Sequence, residues 1–147
     1  MAIDFMTADG LRSVRHWGYR LQGAGKGRKS HKLPIGELKI APHDLIVMDF
    51  SKDGSDKGAF TAVQIDGLKQ RKKANSVVVS YISIGEGESY RFYWNRAWDT
   101  EAPPWHVAEN CAWPRNHMVR FWHDGWKDII FRGQKSYLGH KIGRAHV

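Results

Sequence analysis

The sequence predicts an α/β fold, a partial (β/α)8 TIM-like barrel of about four parallel strands with intervening helices. Three observations predict it. Apolar runs alternate with helical patterns along the chain, the order expected of βαβ units. The two clearest runs, residues 44–50 (DLIVMDF) and 76–84 (SVVVSYISI), are near-continuous and rich in β-branched residues, as in strands buried on both faces of a parallel sheet. Polar and acidic residues follow these runs directly, at the strand ends where parallel α/β folds bind ligands.

The elements follow in order. Residues 17–21 (WGYRL) form a short first strand ending at Gln22, and Pro34 starts a short helix ahead of the second strand, residues 44–50. A helix then begins at Thr61. Thr61 and Gln64 have the T-x-x-Q spacing of a capping box, and Phe60 and Ile65 occupy the positions of a hydrophobic staple. Val63 and Leu68 give this helix its inward face, the basic run KQRKK ends it, and Asn75 is a stop before the third strand, residues 76–84. Residues 118–122 (MVRFW) make a fourth strand. A last helix over residues 124–132 places Trp126, Ile129 and Ile130 on one stripe. Residues 94–117 are the one long irregular stretch, a length that in a compact domain usually serves function.

Composition bounds the function. The chain has 147 residues, 41% apolar and 26% charged, ordinary for a globular domain with a core. A single cysteine, Cys111, excludes an internal disulfide and a cysteine-based zinc site. The eight histidines are scattered without metal-ligand spacing, so neither a metal nor another cofactor is expected. No G-x-S-x-G elbow is present. No apolar run approaches the roughly 20 residues that span a bilayer, so no membrane association is expected. Residues 1–16 lack the apolar core of an export signal; the protein is then cytoplasmic, or its natural N-terminus lies upstream. The net charge of +8 gathers largely in residues 26–32 (KGRKSHK) and 69–73 (KQRKK). Neither cluster has interleaved aromatics for base stacking, so they read as solvated segments, and a basic nucleic-acid-binding domain is the remote alternative.

The strand ends supply the candidate site. Asp49, with Ser51 and Asp53 beyond it, closes the second strand; it either caps the following turn or works in an active site. Gly85-Glu86-Gly87-Glu88, then Tyr90 and Arg91, close the third; His123 and Asp124 follow the fourth. Two glutamates two residues apart share a side in an extended segment. Arg91 offsets the charge of one, either as acid–base and saccharide-gripping machinery or as a salt-bridged loop. Trp94, Trp98, Trp105 and Trp113 crowd the irregular stretch, either stacking on sugar rings or pinning the loop to the fold.

These residues resemble a known family. VVVSYISIGEGESYRFYW is similar to the signature aYisiGEaEdYRpYW of glycoside hydrolase family 114, the endo-α-1,4-polygalactosaminidases. WGYRLQG resembles its opening W-x-YQLQ, and HDLIVMDFSKDG resembles yDlvviDys-dg. AENCAWPRNHMVRFWHDGWKDIIF resembles pEN-dWpGnY-VryWd-eWq-iif, with Arg115 in place of the usual Gly. The resemblance runs from about Trp17 to Leu138. It implies a secreted TIM-barrel enzyme, monomeric at full length, that hydrolyses α-1,4-linked galactosamine-containing polysaccharide through a carboxylate pair. It implies a substrate groove lined by Trp17, Tyr19, Asp49, Tyr81, Glu86, Glu88, Tyr90, Arg91, Trp94 and Trp113. By the resemblance, the catalytic pair is expected beyond this sequence; Asp49 and Glu86 are the catalytic candidates within it. A full barrel needs about 250 residues. Residues 17–141 therefore correspond to the N-terminal half, preceded by an extension over residues 1–16. The final IGRAHV, residues 142–147, reads as the translation of a sequencing adaptor. The chain is expected to be inactive alone. A non-catalytic carbohydrate-binding remnant is the alternative.

Overall fold

The computed structural model describes residues 2–7, 10–21, 32–70 and 76–145, the side chains of residues 5 and 142–145 excepted. Gln22, Asn75, most of both basic clusters and the last two residues of the tail lie outside the described residues. The chain forms two compact units, Met1–Tyr81 and Ile82–Val147.

In the first unit, β1 (Ile3–Thr7) and β2 (Gly10–Val14) pair antiparallel, Ile3 opposite Val14 and Thr7 opposite Gly10. Gly10 has φ +108, a conformation open to glycine and strained for other residues. A three-stranded parallel sheet follows, β3 (Trp17–Arg20), β4 (Leu45–Met48) and β5 (Val77–Ser80), in that spatial order. Helix α1 (Ile35–Ile40) lies between β3 and β4 in the chain, and α2 (Ala62–Lys69) between β4 and β5, as the βαβ reading requires. The Asp44 carboxylate ties the start of β4 to the end of the hairpin, accepting the N–H groups of Arg15 and His16 at 3.0 Å each.

Leu38 of α1, Leu68 of α2, Ile46 and Met48 of β4, and Leu33 form the core of this unit, with Phe60, Ile65 and Val78 packed against them. Each fully buried aliphatic side chain contributes about 1.5–3 kcal/mol. On the other sheet face Trp17, Tyr19 and Val79 are exposed while Leu45 is buried. The capping box of α2 is present. The Thr61 hydroxyl accepts the Gln64 N–H at 3.3 Å, and the Gln64 carboxamide accepts the Thr61 N–H at 3.0 Å. Val63 is not on the inward face; it is 80% exposed while Leu68 is fully buried.

The second unit holds an antiparallel sheet of β6 (Glu86–Glu88), β7 (His106–Glu109) and β8 (Asn116–Val119), in the order β6-β8-β7. Helices α3 (Asp124–Ile130) and α4 (Tyr137–Ala145) complete it. Its core is aromatic. Trp126 and Tyr137 are fully buried and Trp105 nearly so. The Trp105 and Trp126 rings lie 4.9 Å apart, Trp98 meets Trp105 edge-on at 5.0 Å, and Tyr93 meets Tyr137 at 5.1 Å, spacings at which aromatic pairs attract. The Trp126 indole N–H donates to the Ile84 carbonyl at 2.8 Å, so this indole is buried with its polar group paired.

The architecture corrects the expected barrel. The parallel order ends at β5, and the sheets are mixed rather than uniformly parallel. The expected fourth strand is β8, antiparallel to both neighbours. The reason lies in the connection: β7 and β8 are joined by residues 110–115 alone, and a parallel pair needs a crossover of a dozen residues or more. The irregular stretch over residues 94–117 contains β7, a 3-10 turn (Arg96–Asp99) and the start of β8. Residues 1–16, expected as an extension, carry the β1–β2 hairpin.

Candidate functional site

The acidic residues expected at one barrel rim divide between the two units. Glu86 and Glu88 lie inside β6 of the antiparallel sheet, not at the end of a parallel strand. Asp49 follows β4 in the first unit.

In the second unit, Glu88 is 5% exposed and Arg91 4% exposed. They form a bidentate pair: Arg91 Nε donates to Glu88 Oε2 at 2.7 Å and Nη2 donates to Oε1 at 3.1 Å. A tight turn sets the three-residue spacing, with the Arg91 N–H donating to the Glu88 carbonyl at 3.0 Å. The Tyr90 hydroxyl also donates to Glu88 Oε1, and the Tyr93 hydroxyl accepts the Glu88 N–H at 3.0 Å. Tyr137 lies 5.6 Å from the Arg91 guanidinium. Both Glu88 oxygens are thus engaged within the fold, and Glu88, expected in the groove, acts as an internal strut.

Glu86 is held differently. Asn110 Nδ2 donates to its Oε1 at 2.7 Å and Asn116 Nδ2 to its Oε2 at 3.3 Å. Among the described residues no cation pairs with it. Two neutral amides, one on each side of the turn between β7 and β8, therefore orient a half-buried carboxylate without neutralising it. Each carboxylate oxygen retains a lone pair beyond the amide it accepts. Gly87, between the two glutamates, has His117 as its register partner. A Cβ on Gly87 would lie 3.1 Å from Trp94 Cζ3 and 3.2 Å from Trp126 Cη2.

Of the four clustered tryptophans, Trp94, Trp98 and Trp105 pack on one another, at 5.4 Å for Trp94 with Trp98 and 6.2 Å for Trp94 with Trp105. They pin the segment. Trp113, 58% exposed, stands on the surface of the β7–β8 turn. Trp94 also stacks on His117 at 4.4 Å, and His117 Nδ1 lies 3.0 Å from His106 Nε2. Burial first, then the charges of His117 and Arg120, hold His106 below its ordinary value. His123 and Asp124, expected beside a strand end, serve α3. The His123 ring accepts the Gly125 N–H at 3.1 Å, and Asp124 pairs with Arg132 at 2.9 Å and Lys127 at 3.3 Å.

In the first unit, Asp49 and Tyr81 follow paired residues Met48 and Ser80, so they sit side by side beyond the C-terminal edge of the parallel sheet. Asp49 is buried and accepts the Ser51 N–H at 3.2 Å, a contact that fits the first of the two roles expected for it, capping the following turn. Tyr19 meets Tyr81 edge-on at 5.9 Å, and partial burial, then Tyr81, raise its phenol above the ordinary value. Trp17 is 65% exposed. Asp53 organises the loop beyond: its Oδ1 accepts the Ser55 hydroxyl at 2.7 Å and the Ser55 N–H at 3.1 Å. The Ser55 hydroxyl is the chief cause of its lowered pKa.

Asn110, Asn116, Tyr93 and the pair of His106 with His117 were absent from the sequence reading of the site. The signal for the asparagines is an amide at each end of a Trp-Pro turn.

No protein-family model matches the chain. Three curated proteins are similar to it. One from Methanocaldococcus jannaschii is 41% identical over 122 residues, 83% of this chain and 31% of the relative. One from Thermotoga maritima is 38% identical over 127 residues, 86% of this chain and 34% of the relative. One from Deinococcus radiodurans is 32% identical over 120 residues, 81% of this chain and 35% of the relative. All three are named uncharacterized proteins. The chain spans about a third of the length of these relatives.

Proposed function

We propose that this chain supplies the saccharide-gripping part of a secreted glycoside hydrolase resembling the endo-α-1,4-polygalactosaminidases, which acts on α-1,4-linked galactosamine-containing polysaccharide. The observation that carries the reading is Glu86. It is a carboxylate set by two asparagine amides at 2.7 and 3.3 Å, with its charge left to attract a cationic amino sugar. Glu88 and Arg91 keep β6 and its loop in shape beneath it. The exposed Trp113 supplies the flat apolar surface that a sugar ring's C–H face matches. Hydrolysis uses two carboxylates about an oxocarbenium-like transition state. In this reading Glu86 binds substrate, and the reacting pair comes from the rest of a longer protein of the relatives' length.

Calorimetric titration of the purified chain with α-1,4-galactosamine oligomers tests this. Binding without release of reducing ends is expected, weakened about tenfold or more by Glu86→Gln, as loss of a charge-assisted contact requires. Failure to bind, or a Glu86→Gln variant that binds as well, overturns the role of Glu86. Rapid hydrolysis by this chain alone overturns the placement of the reacting pair elsewhere.

A further inference from the structure

The turn that holds Glu86 also carries a residue in a conformation its type disfavours. Arg115 has φ 73, the sole non-glycine residue at positive φ among the described residues. A side chain with a Cβ enters that region at a cost that glycine avoids and asparagine reduces. The backbone of Arg115 is engaged: its N–H donates to Glu109 Oε1 at 2.6 Å, and its carbonyl accepts the Ser89 N–H at 2.9 Å. Glycine would make both bonds equally well. These backbone bonds do not call for arginine; what arginine adds is its side chain.

That side chain is exposed. Among the described residues its guanidinium makes one contact, with the Tyr90 ring 5.1 Å away. Arg91 lies 5.0 Å from the same ring, and the Tyr90 hydroxyl is bound to Glu88. Tyr90 is thus fixed, and a fixed ring orients the guanidinium above it. The planar fork keeps all its N–H donors for an outside acceptor, and bidentate pairing with a carboxylate is what such a fork does best. Trp113 stands two residues earlier on the same turn, 58% exposed.

We propose that Arg115 makes this turn a subsite for an acidic sugar, a uronate-type unit whose carboxylate pairs with the guanidinium. The inference rests on the saccharide reading above and extends it. The turn takes a polysaccharide that carries carboxylate groups, not an exclusively cationic one, because Glu86, held by the asparagines that flank the turn, and Arg115 at the end of the turn beside β8 offer opposite charges.

The test uses the full chain, titrated separately with an oligogalacturonate and with a galactosamine oligomer. The oligogalacturonate is expected to bind. Arg115→Gly should weaken that binding by about tenfold or more, the loss expected of a charge-assisted pair. It should leave galactosamine affinity unchanged and the melting temperature equal or higher, because glycine relieves the backbone. Arg115→Lys, which keeps the charge and the strained backbone, should retain part of the oligogalacturonate affinity. Unchanged oligogalacturonate binding in Arg115→Gly overturns the proposal, as does a lowered melting temperature with both ligands lost, which marks a structural residue. Galactosamine binding without oligogalacturonate binding also overturns it while leaving the saccharide reading intact. Absence of binding to either oligomer removes both.

Discussion

Arg91 grips Glu88 through both carboxylate oxygens, at 2.7 and 3.1 Å, with the two side chains 1% and 6% exposed. A buried pair of this kind is costly to break from one side, because the surviving charge is left without a partner. Glu88→Ala is expected to destabilise the second unit by about 3–5 kcal/mol, read as a lower midpoint in urea unfolding. Glu86→Gln, which strands no buried cation, should shift that midpoint far less. Equal losses in the two variants would show that Glu88 is no more structural than Glu86.

The partly buried ring of His106 gives the second unit a pH dependence. Burial, then His117 and Arg120, depress the folded-state pKa of His106 below its ordinary 6.5. The fold therefore favours the neutral ring, and below that value the unfolded chain binds more protons than the folded one. The contribution is fully present above 6.5 and is lost as pH falls through that value toward the folded pKa. Melting temperature should fall between about pH 7 and about pH 5, the window in which an unperturbed histidine titrates. His106→Gln should flatten the decline. An identical decline in the variant would assign it to other groups.

Gly87 separates Glu86 from Glu88 and lies against two indoles. A methyl group there would stand 3.1 Å from Trp94 and 3.2 Å from Trp126. Overpacking of this kind costs about 1–3 kcal/mol. Gly87→Ala should lower the melting temperature and change the near-ultraviolet circular dichroism of the tryptophans. A fully native spectrum and stability would show that the rings have room.

Local features of the fold were legible in the sequence. Thr61 and Gln64 form the capping box their spacing specifies, because both partners lie within one helical turn. The continuous runs of β4 and β5 mark strands of a parallel sheet. The pairing of Arg91 with Glu88 was one of two readings of that loop, and its three-residue separation made it visible. Elements without an apolar run were not legible. Glu86-Gly87-Glu88 and His106-Val107-Ala108-Glu109 carry no strand period, and their pairing depends on the turn that returns β8 beside both. The β1–β2 hairpin leaves Met6 and Leu11 exposed, so no buried stripe announces it. The amides that hold Glu86 come from 24 and 30 residues away. Such contacts follow from tertiary structure and not from spacing, so the setting of Glu86 inside an antiparallel strand was not visible in the sequence.

The claim that Glu86 and its two asparagines receive an amino sugar is tested most directly by nuclear magnetic resonance of the chain with an α-1,4-galactosamine oligomer. The Asn110 and Asn116 side-chain amide resonances and the Trp113 indole resonance should move together on titration, while the buried Trp126 indole stays in place. Saturating oligomer that leaves both asparagine amides unmoved would contradict the account.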